Sequence, residues 1–596
     1  MSEGEDSTAL ARALGLAADT AEIEALRPFL HLGVLQKGET LFDAGKPVDT
    51  ASFIVSGRIA ARHAAGEAQE FGRGDWLGAR TLLTAEPAEF TARALRETVV
   101  MQLPRDDLAA ALAASPAFAR KLMITCEWET RGESRAMPAP SRLVVCRIGG
   151  DGHLEPAVID AFGSAFDAVA NVRVLRPESF GAGLPGGISF AAPETQHEFQ
   201  EQEQEFDLTI IPLSPPIDDA TLRAVEEADE ILFIAQGSGD AAVATANPLL
   251  KHAMGTRGAG ACRAVIVKEA HATRAAFASC RSVHRVDAAD DTAFQPLARL
   301  MMGVDLSVAA LSTGVQGAAV WGALHAAATS GVRIGAIGAG GSAVVACALF
   351  AGIAGKTVRS DRLFEGLSET FAALRRAARP DHALYEPRAV DEFLVAALPD
   401  LDIAEYDTPH VAVSSDLSAS GAAFLHRSGK LRALVRTGLT PPGLLPPVIT
   451  EEGRILVSGA HHGLSLVTAL KRLTPSPVLQ IETRNAPLGP TTASYRDLSG
   501  GAGFRLPGLG GHARHDRRLS LETLLAETAC ARSHLPDAIP DVMQWLIPMP
   551  EGIGPLDWGA WRVLYDIGYE WASARIQDLP LTALSRQPTS RTDEAA

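Results

Sequence analysis

One uncharged stretch restricts the fold of this chain more than any other part of the sequence. Residues 334–355 read IGAIGAGGSAVVACALFAGIAG, long enough to cross a membrane as a single helix. Glycine is a poor helix former and adopts backbone conformations that other residues avoid, so the cluster at 338–341 favours a turn. Aromatic residues that would anchor a membrane span do not flank the run. We therefore predict a buried strand, a sharp turn and a helix.

The same alternation of apolar strands and helices recurs through much of the chain. Strand-like, largely apolar runs at 142–149, 206–213, 230–237 and 262–270 are separated by helical patterns. Strands that are apolar on both faces are typical of parallel sheets covered by helices on each side. The sequence predicts a doubly wound parallel α/β domain, and a second α/β block from about residue 305 to about residue 483. We interpret the acidic stretch 194–207 as solvated surface.

The N-terminal part has a different pattern. Between about Ala21 and Pro104, short alternating segments are interrupted by Gly, Asp and Pro at the spacing of about 8–12 residues that is typical of all-β folds. This pattern predicts a small antiparallel barrel or roll. A helical segment near 105–132 and a proline-containing boundary at 136–141 follow it.

Charge and cysteine content restrict the function classes. The 596 residues carry a net charge of −17, which argues against nucleic acid or an anionic membrane as the main partner. The six cysteines are dispersed without a C-x-x-C pair, so we predict a reducing compartment rather than a disulfide framework. The N-terminus is acidic, unlike a secretory signal. We predict a cytoplasmic protein with at most peripheral membrane contact, no nucleic-acid partner, no metal and no cofactor.

Residues 311–352 place a glycine-containing loop, a helix, a strand and the glycine turn in one order. This order resembles the patatin-like phospholipases, specifically the bacterial relatives of neuropathy target esterase. The runs TPHVAVSSDLSASGAAFLHRSGK (408–430) and ILVSGAHHGLSL (455–466) extend the resemblance, and the N-terminal roll resembles a cyclic nucleotide-binding domain. The resemblance implies lipid-ester hydrolysis by three motifs: an oxyanion loop G-G-G-x-R-G, a nucleophilic serine in G-x-S-x-G and an aspartate in D-G-[GA].

The resemblance also implies a domain organisation. The fold class is α/β, with an N-terminal cyclic-nucleotide-binding-like β-roll, a middle parallel α/β domain and a C-terminal patatin-like α/β domain. The expected ranges are a flexible lead-in (1–20), the roll (21–135), the middle domain (142–300), the patatin-like domain (301–500), a C-terminal extension packed on it (501–580) and a disordered tail (581–596).

At each catalytic position of that family this sequence has a different residue. The nucleophile position is Gly341, followed by Ser342, and the aspartate position is Ser458. A Ser/Asp dyad needs an oxygen nucleophile and a carboxylate within hydrogen-bond reach, so we predict that the dyad is absent. The remnant of the oxyanion loop consists of Gly314, Val315, Gln316 and Gly317.

The phosphate cassette of the cyclic-nucleotide-binding-like roll has changed in the same way. After Gly78, Ala79 stands at the position of the family's ribose-binding glutamate, and Ala88 stands at the position of its phosphate-binding arginine. A cyclic phosphate without its arginine loses its main charge-assisted partner. We predict no tight binding of cyclic nucleotides, and surface salt-bridge roles for Arg80 and Arg93.

Three functions from different classes stay open. The first is a catalytically inactive pseudoenzyme that binds a lipid or acyl ligand, or docks a partner protein or a second copy of the chain. The second is an active (lyso)phospholipase or serine esterase that uses a displaced serine such as Ser342. The third is dinucleotide binding, because Gly338, Gly340 and Ala343 fit G-x-G-x-x-A and Asp361 follows at a suitable distance.

Histidines and aromatic residues elsewhere have simpler interpretations. We interpret the pair His461 and His462, and the group His512, His515 and Asp516, as surface residues rather than metal ligands. The aromatic residues between 545 and 569 have the spacing of a packed helix and the segment leading into it.

Overall fold

The structure is a computed structural model of the chain. It describes residues 10–11, 21–63, 69–131, 137–149, 152–175, 203, 205–213, 217, 219–236, 247–267, 277, 279–287, 289–355, 360–377, 383–406, 408–439, 441–484, 505–506, 517–518 and 542–579. The chain divides into two compact units, Met1–Val304 with Lys471–Ser476, and Asp305–Leu470 with Pro477–Ala596. The finer domain boundaries given above stay predictions.

The first unit begins with an antiparallel β-roll. Its strands are β1 (His31–Leu35), β2 (Thr40–Phe42), β3 (Thr50–Ser56), β4 (Ile59–His63), β5 (Gln69–Phe71), β6 (Trp76–Leu77), β7 (Phe90–Ala94) and β8 (Thr98–Pro104). Its helices are α1 (Ala21–Leu26), α2 (Ala79–Thr84), α3 (Leu108–Ala114) and α4 (Pro116–Arg131). The two sheets have the orders β1-β8-β3-β6 and β2-β7-β4-β5. The Trp76 ring lies 5.3 Å from the ring of Phe53 and 5.2 Å from that of Phe118, centroid to centroid, so aromatic contacts join the first sheet to α4. The predicted roll is confirmed.

The rest of the first unit is a six-stranded parallel sheet. Its strands are β9 (Arg142–Ile148), β10 (Val172–Val174), β11 (Leu208–Leu213), β12 (Glu230–Gln236), β13 (Cys262–Val267) and β14 (Ser282–Val286), in the order β10-β11-β9-β12-β13-β14. Its helices are α5 (Pro156–Asp167), α6 (Asp219–Glu227), α7 (Pro248–Thr256) and α8 (Asp291–Met301). Phe162 of α5 and Phe294 of α8 pack on one face, and Val225 of α6 and Leu250 of α7 belong to the core on the other. The predicted doubly wound sheet is confirmed, but the short strand β10 and the edge strand β14 were not anticipated.

Buried charges lie where the roll meets this sheet, at the amino ends of its strands. Asp229, just before β12, accepts hydrogen bonds from Arg96 at 3.3 Å and from the backbone N–H of Ser141 at 2.9 Å. Glu203 pairs with Arg96 at 2.7 Å and also with Arg142. The solvated-surface interpretation of 194–207 is therefore wrong at Glu203, which is only 1% exposed. Its arginine partners offset the free-energy cost of burial, because they replace the lost hydration of the carboxylate.

The second unit is built on one mixed sheet. The strands of this unit are β15 (Leu306–Ser312), β16 (Ile334–Gly341), β17 (His410–Asp416), β18 (Ala422–His426), β19 (Val448–Ile449), β20 (Ile455–Ser458), β21 (Val478–Arg484), β22 (Arg505–Leu506), β23 (Arg517–Arg518) and β24 (Val542–Pro548). The sheet has the order β19-β20-β17-β16-β15-β21-β24, with β18 on β17, while β22 and β23 pair with each other. Neighbours from β17 to β24 are parallel, whereas β18 and β20 run antiparallel to β17.

Helices cover this sheet and cross closely at glycines. They are α9 (Gly317–Thr329), α10 (Ala343–Gly355), α11 (Ser360–Ala372), α12 (Arg388–Ala397), α13 (Leu431–Gly438), α14 (Gly463–Leu473) and α15 (Trp561–Ser573). A Cβ added at Gly322 of α9 would overlap the carbonyl of Tyr565, and one at Gly568 of α15 would overlap that of Ala319. The terminal aromatic residues are therefore part of a helix that packs directly on α9.

The uncharged run 334–355 forms β16, a turn and α10, as predicted from its glycines. Within the described part of the chain, none of the helices combines the length and the apolar character needed to span a bilayer.

Candidate functional site

The turn between β16 and α10 places Gly341 at its tip. Gly341 has φ +62°, a left-handed conformation that favours glycine. A Cβ at this position would overlap the carbonyl oxygen of Ser312 and would lie 2.8 Å from the Cβ of Ala460. A serine in the place of Gly341 would therefore need the surrounding backbone to move.

Ser342, the next residue, lies inside the protein. It is 1% exposed, and its N–H donates to the carbonyl of Ser312 at 2.9 Å. Its hydroxyl pairs with that of Ser312, with 2.9 Å between the two Oγ atoms. Another hydroxyl cannot take the serine proton near neutral pH, so this pair does not activate either serine as a nucleophile.

The loop at the oxyanion position follows β15 as a short 3-10 turn, Gly314–Gln316. The N–H of Val315 donates to the carbonyl of Pro555 at 2.8 Å, and a Cβ on Gly314 (φ +57°) would overlap the same oxygen. Gln316 accepts a hydrogen bond from the hydroxyl of Thr483 at 2.8 Å. The N–H of Val315 therefore already has an acceptor within the chain, the Pro555 carbonyl in the segment that leads into α15.

Ser458, at the aspartate position, ends β20 and is buried. Its carbonyl accepts a hydrogen bond from Ser415 at 2.9 Å. A Cβ on the following Gly459 would overlap the carbonyl of Val413. Because Ala460 borders Gly341, the structure brings the S-G-A segment to the elbow without bringing a carboxylate with it.

A hydroxyl–imidazole group that sequence reasoning missed lies beside this segment. The Oγ of Ser415 is 3.1 Å from Nε2 of His462 and 3.3 Å from Nε2 of His461. Burial, helped by the neighbouring His461, lowers the pKa of His462 to about 4, against a hydrogen bond to the backbone of Gly421. A neutral imidazole can take a proton from a hydroxyl. The adjacent histidines were the available signal, but no sequence spacing links them to Ser415.

These histidines do not form a metal cluster. Among the residues that the structure describes, no group of three or more His, Cys, Asp or Glu side chains could hold a metal ion. The group His512, His515 and Asp516 lies outside the described residues. The side chain of Asp361, from the dinucleotide hypothesis, is likewise outside them.

In the phosphate cassette of the roll, an arginine is paired with two glutamates of the same segment. Gly78 (φ +81°) precedes α2, and Ala79 and Ala88 are buried. Arg80 was predicted at the surface, but it is 8% exposed. Its guanidinium lies 2.5 Å from Glu86 and 3.2 Å from Glu89. A phosphate would therefore have to compete with two carboxylates for this cation.

Comparisons with known proteins agree with this architecture. The family model described as "Cyclic nucleotide-binding domain" matches residues 33–115. "Uncharacterized NTE family protein Rv2565" of Mycobacterium tuberculosis is 24% identical over 467 residues, 74% of each chain. Human "Patatin-like phospholipase domain-containing protein 6" is 20% identical over 605 residues, 91% of this chain and 44% of that protein. Among solved structures, the Catabolite Activator Protein of Thermus thermophilus is 20% identical over 20% of this chain and 59% of its own, with a TM-score of 0.19.

The chain is thus a multidomain α/β protein with an N-terminal cyclic nucleotide-binding domain. Its relatives are the NTE-family, patatin-like phospholipase proteins.

Proposed function

We propose that this protein is a patatin-like pseudoenzyme, a scaffold that binds a lipid or acyl ligand, or docks a partner protein or a second copy, without hydrolysing esters. The observation that carries the proposal is the elbow. Gly341 provides no nucleophile there, and the space that a side chain would need is filled by Ser312 and Ala460. The lipid class of ligand follows from the NTE-family relatives.

Two neighbouring features support the same function. The Val315 N–H is already bonded to Pro555, so it cannot donate to a tetrahedral intermediate without breaking that bond. Ser342 is buried against Ser312 and faces a hydroxyl in place of a carboxylate. Gly341 removes the nucleophile from the elbow, the bonded Val315 weakens oxyanion stabilisation, and Ser342 lacks a base that could activate it.

Purified protein is incubated with nitrophenyl esters, with lysophospholipid and with a fluorophosphonate probe that labels activated serines. We expect neither turnover above buffer nor labelling. The double variant Gly341→Ser with Ser458→Asp restores the family's residue types but not the space for them, so it should also stay unlabelled. Turnover by the unmodified protein that is abolished by Ser342→Ala would overturn the proposal.

The second candidate function is an active esterase, and one observation favours it. In this alternative Ser415 is the nucleophile: its hydroxyl turns from the Ser458 carbonyl towards neutral His462, which takes the proton across 3.1 Å. Ser415 is 2% exposed, so the residues that cover it would have to move for a substrate to enter. If the fluorophosphonate labels the protein, Ser415→Ala should abolish labelling and the matched Ser342→Ala variant should keep it.

The dinucleotide hypothesis has less support. A Cβ at Gly338 would lie 2.8 Å from Leu466, and one at Gly340 would lie 2.6 Å from Leu311. The close approach that these glycines permit is therefore used by neighbouring side chains, where a pyrophosphate would need free space. Nicotinamide or flavin absorbance retained by the purified protein would contradict this conclusion.

A further inference from the structure

The roll carries a groove that the functions considered above do not use. Its volume is about 880 Å³, within the range of about 300–1,000 Å³ that is usual for small-molecule sites. It is lined by Leu83 of α2, Leu112 of α3 and one face of α4, from Pro116 to Cys126. Most of these side chains are apolar, so the body of a fitting ligand is apolar as well.

Helix α4 has apolar residues on two faces, and neighbouring residues bury only one of them. Phe118 and Leu122 are fully buried in the core of the roll. Ala119, Met123 and Cys126 follow one another at helical spacing along the groove, and Met123 is 66% exposed. Exposed apolar surface of this kind is typical of a binding site.

One cation lies on the same face. Arg120 is exposed and lines the groove one residue after Ala119. Within the described part of the chain it forms no ion pair, in contrast to Arg80 and Arg105 of the same roll, which pair with Glu86 and Asp49. An unpaired guanidinium beside an apolar groove complements a ligand with a hydrocarbon chain and an anionic head.

We propose that this groove, defined by Leu83, Leu112, Ala119, Arg120, Met123 and Cys126, binds a free medium-chain fatty acid. The chain lies along α4 against the apolar side chains, and the carboxylate pairs with Arg120. From Pro116 to Cys126 the helix offers about 15 Å of length, because each residue adds about 1.5 Å. The groove consists of residues of the first unit and the elbow of residues of the second unit, so the proposal is compatible with an active and with an inactive elbow.

Cys126 provides a direct readout of occupancy. Cys146, Cys262, Cys280 and Cys347 are buried, whereas Cys126 is half-buried and lines the groove. Cys530 lies outside the described residues, so the experiments use a Cys530→Ala background. In that background, the rate of maleimide labelling measures access to Cys126.

The test compares dodecanoic acid with dodecanol, below their micelle concentrations, on the full chain. Dodecanoic acid should slow Cys126 labelling several-fold and displace a fluorescent fatty acid. Ala119→Trp, which fills the groove, should weaken binding of both compounds, while Ala110→Trp on the exposed face of α3 should not. Arg120→Glu should weaken binding of the acid about tenfold or more and leave the alcohol unchanged, since it replaces the charge-assisted contact by repulsion between two carboxylates and keeps the apolar lining. Arg93→Glu on β7 is the matched control for charge.

Other occupants give different results. If Cys126 becomes protected with rising protein concentration in the absence of fatty acid, the groove is a contact between copies of the chain and the proposal is wrong. Equal binding of dodecanoic acid by the Arg120→Glu variant and by the Arg93→Glu control also overturns it. Neither result bears on the absence of ester hydrolysis in the pseudoenzyme proposal, which is tested by turnover and serine labelling.

Discussion

At the scale of single residues, Gly341 shows how the elbow depends on the absence of a side chain. Replacing it by alanine adds a Cβ that overlaps the Ser312 carbonyl and also strains a left-handed φ of +62°. We expect Gly341→Ala to lower the free energy of unfolding by about 2–4 kcal/mol. The matched control is Gly331→Ala, at φ +80° with nothing within 4 Å of the added Cβ, which should lose only about 1 kcal/mol.

Thermal unfolding of the two variants measures this difference. The control has the same backbone strain without the overlap, so the difference between the two variants isolates the steric contact. Equal losses in both would mean that the segments around the elbow adjust freely, and the argument against a serine at Gly341 would fail.

A second residue makes a prediction about pH. Burial raises the pKa of Glu482 on β21 from 4.5 to about 7, although a hydrogen bond from Gln480 opposes the shift. Between these values the folded protein keeps a proton that the unfolded chain releases, so stability falls as the pH rises through this window. By pH 8 the loss is about 3 kcal/mol. Glu482→Gln should therefore stabilise the protein at pH 8 and change little at pH 4.

Melting temperatures at the two pH values, beside the exposed control Glu551→Gln, measure this effect. A stabilisation of the same size at both pH values would show that the charge of Glu482 is not its cause.

The position of Gly341 could be predicted from sequence because the glycine cluster, the loop before it and the S-G-A segment keep a fixed order along the chain. The hydrogen bond from Val315 to Pro555 could not, because 240 residues separate its partners and proline carries no signal for its carbonyl. The Ser415–His462 contact was missed for the same reason, since Ser415 lies on β17 and His462 lies in the loop between β20 and α14.

At the scale of the elements, the cassette around α2 predicts the ligand response of the roll. Arg80 is paired with Glu86 and Glu89, so the segment carries one cation against two anions. We expect cyclic AMP at millimolar concentration to leave the melting temperature unchanged, because a ligand stabilises only when its concentration exceeds its Kd. A shift of several degrees would show that the roll binds the cyclic phosphate and that the prediction of no tight binding is wrong.

Elements were predictable where one period dominates the sequence. The parallel strands β9, β11, β12 and β13 are largely apolar runs, and each formed as expected. β10 has three residues, and β14 is a partly buried edge strand with His284 and Arg285 in its middle, so neither carries enough apolar pattern to be recognised. Helix α15 was recognisable from its aromatic spacing, although its close crossing with α9 depends on Gly322 and Gly568, which have no pattern of their own.

At the scale of the whole molecule, the buried charges of the first unit join its roll to its parallel sheet. Burial alone would raise the pKa of Asp229, but Arg96 and Arg58 overcome this effect and hold the pKa well below its usual range. Removing one partner of a buried pair leaves the other charge without compensation. We expect Asp229→Asn to cost about 3–5 kcal/mol at pH 7.

The control is Asp43→Asn, which breaks an exposed pair with Lys46 and should cost less than about 1 kcal/mol. Because the pKa of Asp229 is lowered on folding, its contribution is present above the unfolded value near 3.8 and is lost as the pH falls below it. The difference between the two variants should therefore shrink in acid. A constant difference from pH 7 to pH 3 would contradict the ion-pair explanation.

The carbonyl of Pro555 has a consequence for the molecule as a whole. An ester substrate would also present a carbonyl oxygen to the loop. The Pro555 carbonyl already accepts the hydrogen bond from Val315 that such a substrate would need. Active hydrolases leave such donors without a partner in the chain until the substrate binds, and this lowers their stability. Under the pseudoenzyme proposal this donor contributes to stability alone, and a mutation that placed a serine at Gly341 would still meet a Val315 N–H that is already bonded.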